Sequence, residues 1–279
     1  MNEILIFGDS FADKNFRHID EETWYDKLDT SSLTKSPNST SVVNYAINGI
    51  GASRLIKIFE KEIRKYDISD LSDKFLVIVL SDCYKFDLDY LPDVTHAHYS
   101  ISLRDFDNAD EFIKRYHIKD HADFYRDNFE RIKNDYNSFY SNGVNQLLPI
   151  HCIQYFLHMS SFFKKVIIWP SNEVYLQNEI TKEIGCDFNM TEKLISRVEN
   201  LYFVRKSFYE ILTEQEKVSD EKNSFLQLTS IMSYRSDHHK SVFINDNNLN
   251  NHLTATNHRR IFHLIYNWFF KNKKVNYDN

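Results

Sequence analysis

Five short segments of the chain are compact, apolar and rich in β-branched or aromatic residues: residues 4–7, 42–45, 75–80, 166–169 and 201–204. Unbroken apolar runs, without polar alternation, are what strands covered on both faces require, so these segments are predicted as buried parallel strands. Helical patterns lie between them. Over residues 55–66 the apolar set is Ile56, Ile58, Phe59 and Ile63. Over residues 255–270, Ile261, Leu264, Ile265 and Trp268 fall at helical spacing and predict a helix that closes the domain against one sheet face. Strands alternating with helices imply an α/β domain with a mainly parallel sheet.

The spacing of the strands is uneven. About 85 residues separate the third from the fourth, far more than one crossover helix needs, so a helical insertion is predicted over residues 86–143. Inside it Tyr125, Phe129, Ile132, Tyr136 and Phe139 alternate steps of four and three, opposite a charged face of Arg126, Glu130, Arg131 and Lys133. Two readings stand for this amphipathic helix: an extra helix packed on the core, or a cap that shapes substrate choice. A second long irregular stretch, residues 226–251, leads to His252.

Of 279 residues, 42% are hydrophobic, enough for one large core, so residues 1–279 are predicted as a single domain. A net charge of -6 argues against a nucleic-acid partner, which needs a basic face. Lys271, Lys273 and Lys274 form the densest basic run and read as a solvated tail. Cys83, Cys152 and Cys186 share no metal or disulfide spacing and read as ordinary thiols of a reducing compartment. Residues 1–7 already look like a core strand, without the charged and apolar regions of a signal peptide. No apolar run reaches spanning length. A cytoplasmic protein with no membrane partner is therefore expected. His117 and His121 stand four apart, as a zinc site on a helix allows, but no third ligand accompanies them, and no metal is expected. His96, His98, His238 and His239 read as loop residues, the last two near the His252 segment.

The strongest chemical signal is Ile4-Leu5-Ile6-Phe7-Gly8-Asp9-Ser10-Phe11. A hydrophobic strand ends in a small residue, an acid and a serine, and ligands of an open parallel sheet bind beyond the carboxyl ends of its strands. A helix beginning just after Ser10 would favour developing negative charge there. Gly8 permits close backbone approach. The bland alternative is that Asp9 or Ser10 merely caps a helix.

With this first block the chain resembles the SGNH/GDSL hydrolases. The resemblance extends, in order, along essentially the whole chain. Asn44-Tyr45-Ala46-Ile47-Asn48-Gly49 fits the family's second block, with Gly51 as the other register. The third block, normally Gly-x-Asn-Asp, here reads Val79-Leu80-Ser81-Asp82 and keeps only the final acid. The fourth, normally Asp-x-x-His-Leu, is matched on its His side by Asn251-His252-Leu253-Thr254, followed by Asn257-His258 and a helix. Leu249 occupies the usual Asp position, leaving Asp246 as the first candidate acid and Asp237 as the next.

The resemblance implies a flavodoxin-like three-layer fold with five parallel strands. It implies serine-dependent hydrolysis of esters or acyl groups, with neither metal nor organic cofactor. Ser10 would be the nucleophile, His252 the general base and Asp246 its orienting acid. Ser10 and Gly49 amides, with the Ser81 hydroxyl, would hold the oxyanion, and Asp9 and Asp82 would support the site. The expected substrate is a small-molecule or carbohydrate-borne ester, with O-deacetylation one instance. Two alternatives stay open: an acyltransferase using the same residues, and a catalytically weak binding module on the same fold.

Overall fold

The structure, a computed structural model, describes residues 2–9, 11–14, 22–30, 39–47, 50–80, 107–115, 121–141, 144–170, 188–205 and 255–274. Apolar residues on both faces of each strand drive the central element, an all-parallel sheet of five strands. The strands are β1 (Asn2–Phe7), β2 (Thr40–Asn44), β3 (Phe75–Leu80), β4 (Lys165–Pro170) and β5 (Leu201–Phe203), in the order β2-β1-β3-β4-β5. That is the flavodoxin-like order, in which the chain leaves β1 towards β2 and later returns to β3 on β1's other side.

Side chains that alternate along each strand build two cores. Ile4, Ile6, Val77, Val79, Ile167 and Trp169 face one way, against α1 (Trp24–Leu28) and a long last helix, α8 (Ala255–Lys271). Leu5, Phe7, Leu76, Ile78, Leu80, Val166 and Ile168 face the other. They meet α2 (Ala52–Ile63), α3 (Ile68–Leu71) and α6 (Val144–Ser160), with α7 (Phe188–Arg197) alongside. The result is the expected three-layer α/β fold. Among the described residues no helix is long and apolar enough to cross a membrane.

All five strands lie within two residues of their predicted bounds. The α2 reading needs correction. The helix starts earlier, at the Gly51 N-cap, and its buried stripe is Ala52, Leu55, Phe59 and Ile63, while Ile56 and Ile58 pack only partly. Leu55, Phe59 and Ile63 are four apart and form one narrow ridge, which an isoleucine count does not reveal. In α8, Ile261, Leu264, Ile265 and Trp268 are all buried as expected. The helix is also tethered at its end. The Trp268 indole donates to the Val166 carbonyl at 3.1 Å, and Lys165 Nζ donates to the Trp268 and Phe269 carbonyls at 2.9 and 3.0 Å. A cation on terminal carbonyls both satisfies them and suits the helix dipole.

The predicted helical insertion contains α4 (Ala109–Arg115) and α5 (Ala122–Ser141). The buried face of α5 carries Tyr125, Phe129 and Ile132, and Phe112 of α4 meets the first two rings at 5.5 and 6.1 Å. The helix also packs along α6. None of these side chains belongs to either core that coats the sheet. The described part of the apolar face thus packs in a satellite cluster apart from both sheet cores, and the side chains of Tyr136 and Phe139 lie outside the described residues. Phe129→Ala should therefore cost about 3 kcal/mol locally. Hydrogen exchange is expected to quicken across residues 109–141 while β1, β3 and β4 stay protected; equal loss of protection in the sheet would contradict this.

Candidate active site

Gly8 and Asp9 stand where β1 ends, and β1 lies between β2 and β3. Connections run from β1 over one face of the sheet and from β2 over the other, which makes this strand end the switch point at which such sheets bind ligands. Gly8 is glycine for a steric reason. A Cβ there would come 2.7 Å from the Val79 Cβ and 3.1 Å from the Val79 carbonyl oxygen. Val79 is fully buried in β3, so the neighbour has nowhere to move.

The chain then turns. The amides of Ala12 and Asp13 both donate to the Asp9 carbonyl at 2.9 Å. The Phe11 amide donates to Asp9 Oδ1 at 3.2 Å, so the buried carboxylate caps the turn. This corrects one expectation: residues 11–14 make a turn, and no helix begins there. The bland alternative, a helix cap at Asp9, changes with it: what Asp9 caps is a turn.

Two elements hold this turn by side chains, and a third braces one of them. Asn44, at the end of β2, donates from Nδ2 to the Ala12 carbonyl at 2.7 Å and accepts the Ala46 amide on Oδ1 at 2.9 Å. One carboxamide thereby fixes the β1 turn to the strand end that leads to Asn48 and Gly49. Backbone bonds reinforce the pairing, from the Tyr45 amide to the Ile6 carbonyl at 2.8 Å and from the Ile47 amide to the Gly8 carbonyl at 3.0 Å. From α1, the Trp24 indole donates to the Phe11 carbonyl at 3.2 Å and the Tyr25 hydroxyl to the Asp13 carbonyl at 3.3 Å. From α8, His258 Nδ1 accepts the Trp24 amide at 3.2 Å. That amide opens α1, where helices leave N–H groups without intrahelical partners. Thr23 and Asp26 satisfy the neighbouring groups through a capping box.

Of the predicted site residues, Asp9 is described. Ser10, Gly49, Ser81, Asp82, Asp246 and His252 lie outside the described residues, as do Asp237, His96, His98, His117, His238 and His239. Gly51, the other register for the second block, is the N-cap of α2, and its carbonyl accepts the Leu55 amide. His121 does not sit on a helix with His117: its φ of 65° is left-handed, immediately before α5. Among the described residues no group of three metal-ligating side chains occurs. Cys152 is fully buried, and burial pushes its thiol up to about 12, which makes it a packing residue and not a competing nucleophile.

No protein-family model, curated protein or solved structure matches the chain. Functional assignment therefore rests on the residues themselves.

Proposed function

We propose that the protein hydrolyses a small-molecule or carbohydrate-borne ester through a covalent acyl-enzyme on Ser10. One observation carries the reading. The Gly-Asp pair preceding Ser10 stands at the carboxyl end of β1, at the switch point, and Gly8 is sterically obligatory against Val79. A bound acyl group at such a strand end has the ends of β2 and β3 on either side of it.

Ser10 Oγ attacks the ester carbonyl while His252 takes its proton, with Asp246 orienting the imidazole. The amides of Ser10 and Gly49, with the Ser81 hydroxyl, hold the oxyanion. Its collapse breaks the bond to the alkoxy oxygen, and His252 returns the proton to the departing alcohol. Water, deprotonated by His252, then attacks the acyl-serine; the acyl–Oγ bond breaks, His252 returns the proton to Oγ, and the carboxylic acid leaves. Asp9 supports the step indirectly by capping the turn, and Asp82 flanks the donor at Ser81.

Hydrolysis of p-nitrophenyl acetate tests the reading. Saturable release of nitrophenolate is expected, far above that of Ser10→Ala. Equal rates in the two proteins would overturn it.

A further inference from the structure

The His252 segment enters α8 only three residues after His252, at Ala255. In the first turns of that helix His258 is 1% exposed, a polar ring buried on the helix whose Ile261, Leu264 and Ile265 join the apolar core. Its bond to the Trp24 amide assigns its Nδ1 as an acceptor. A backbone N–H can only donate, so Nδ1 bears no proton and the ring is the Nε2–H tautomer. Trp24, fully buried, passes the connection on through its own indole to the Phe11 carbonyl, and the Phe11 amide is bonded to Asp9 Oδ1. Three successive hydrogen bonds, at 3.2 Å each, thus run from α8 to the two chain neighbours of Ser10. The partners at the first link are 234 positions apart in the sequence.

From this connection we infer that Trp24 and His258 are positioning residues, a buried strut that sets α8, whose first residue follows His252 by three in the sequence, against the nucleophile turn. The inference rests on the function proposed above. Leucine or phenylalanine at 258 would fill the same space without burying polar atoms, and burying them has a cost unless their geometry is used. What an imidazole adds is direction. It fixes α8 against α1, and Trp24 fixes α1 against the turn. General-base catalysis needs the base within hydrogen-bond reach of the nucleophile, and an error near 1 Å lowers turnover without loosening substrate. His258 is buried and holds the Trp24 amide on Nδ1, which suits a positioning role.

The test compares turnover of p-nitrophenyl acetate by three variants of the full chain. Trp24→Phe keeps an aromatic ring and deletes the indole N–H. His258→Leu keeps bulk and deletes the acceptor, and His258→Asn restores an oxygen near the place of Nδ1. Trp24→Phe and His258→Leu should lower kcat about 10- to 100-fold with KM within about twofold. His258→Asn should return to within about threefold of the parent, and the double variant should be little worse than the poorer single, as for two parts of one device. A lowered Tm with unchanged kcat per folded molecule would make the strut merely structural and overturn the inference. If His258→Leu does not fold, Trp24→Phe decides alone, and unchanged kcat in it overturns the inference. A His258→Asn protein as inactive as Ser10→Ala would make His258 the base itself, which also overturns a positioning role. Retained turnover in Ser10→Ala overturns the parent reading and this one together. Loss in Ser10→Ala beside parent-like Trp24→Phe and His258→Leu overturns the strut alone.

Discussion

Alanine at Ser10 is expected to lower ester hydrolysis by at least a thousandfold, to the order of magnitude left by binding and oxyanion contacts alone. Without Oγ no acyl-enzyme forms, and no other group replaces a covalent nucleophile. His252→Ala should cost about as much, because a hydroxyl without its base is a weak nucleophile at neutral pH. The double variant should fall no further, since the two residues act as one unit. Steady-state rates of the two single variants and the double variant check this. Additive losses would mean that the residues act separately. Asp246→Asn should cost less than either, because an orienting acid is partly replaceable. A silent Asp246→Asn beside an impaired Asp237→Asn would assign the acid to Asp237.

The second large effect is on stability. Gly8→Ala places a methyl group 2.7 Å from the Val79 Cβ, closer than real Cβ contacts come. The partner is the first atom of a fully buried side chain on a central strand, so relief requires moving β1 or β3. A loss of ~3 kcal/mol is expected in urea denaturation, at the upper end of overpacking costs. Because the clash is with the Cβ itself, Val79→Ala cannot relieve it. Val79→Gly can, in part, although alone it opens a cavity and loosens the strand. The pair Gly8→Ala and Val79→Gly should therefore be less destabilised than the sum of the singles. Additive losses, or a Gly8→Ala protein as stable as the parent, would contradict the packing described. The same contact bears on the Val79-Leu80-Ser81-Asp82 block. Val79 in that block is accommodated by the glycine that follows neighbouring β1, and is part of the core.

The sheet was legible in the sequence because buried parallel strands concentrate apolar residues into short runs, as in Phe75-Leu76-Val77-Ile78-Val79-Leu80. Helix α8 was legible for a similar reason, its buried residues recurring at three and four. The face of α2 was misread because Ile56 and Ile58 are as apolar as Leu55, and only packing on the sheet selects between them. His121 was misplaced because spacing alone says nothing of backbone handedness, and its φ is left-handed. The Gly8-Asp9 strand end was read correctly from local order. Its restraints were not. Asn44, Trp24 and His258 meet the turn or one another across 32, 13 and 234 positions, and such contacts leave no period in a sequence. The catalytic roles of Ser10, His252, Asp246, Gly49 and Ser81 rest on motif order and on the described strand end beside them.

Labelling with a fluorophosphonate, followed by peptide mapping, tests the central claim most directly. The reagent phosphonylates a serine only where a base and an oxyanion hole activate it, and it needs no knowledge of the natural ester. The account predicts a single adduct, on Ser10, that is absent from His252→Ala and from protein denatured beforehand. An adduct on another serine, or an unlabelled native protein, would contradict it.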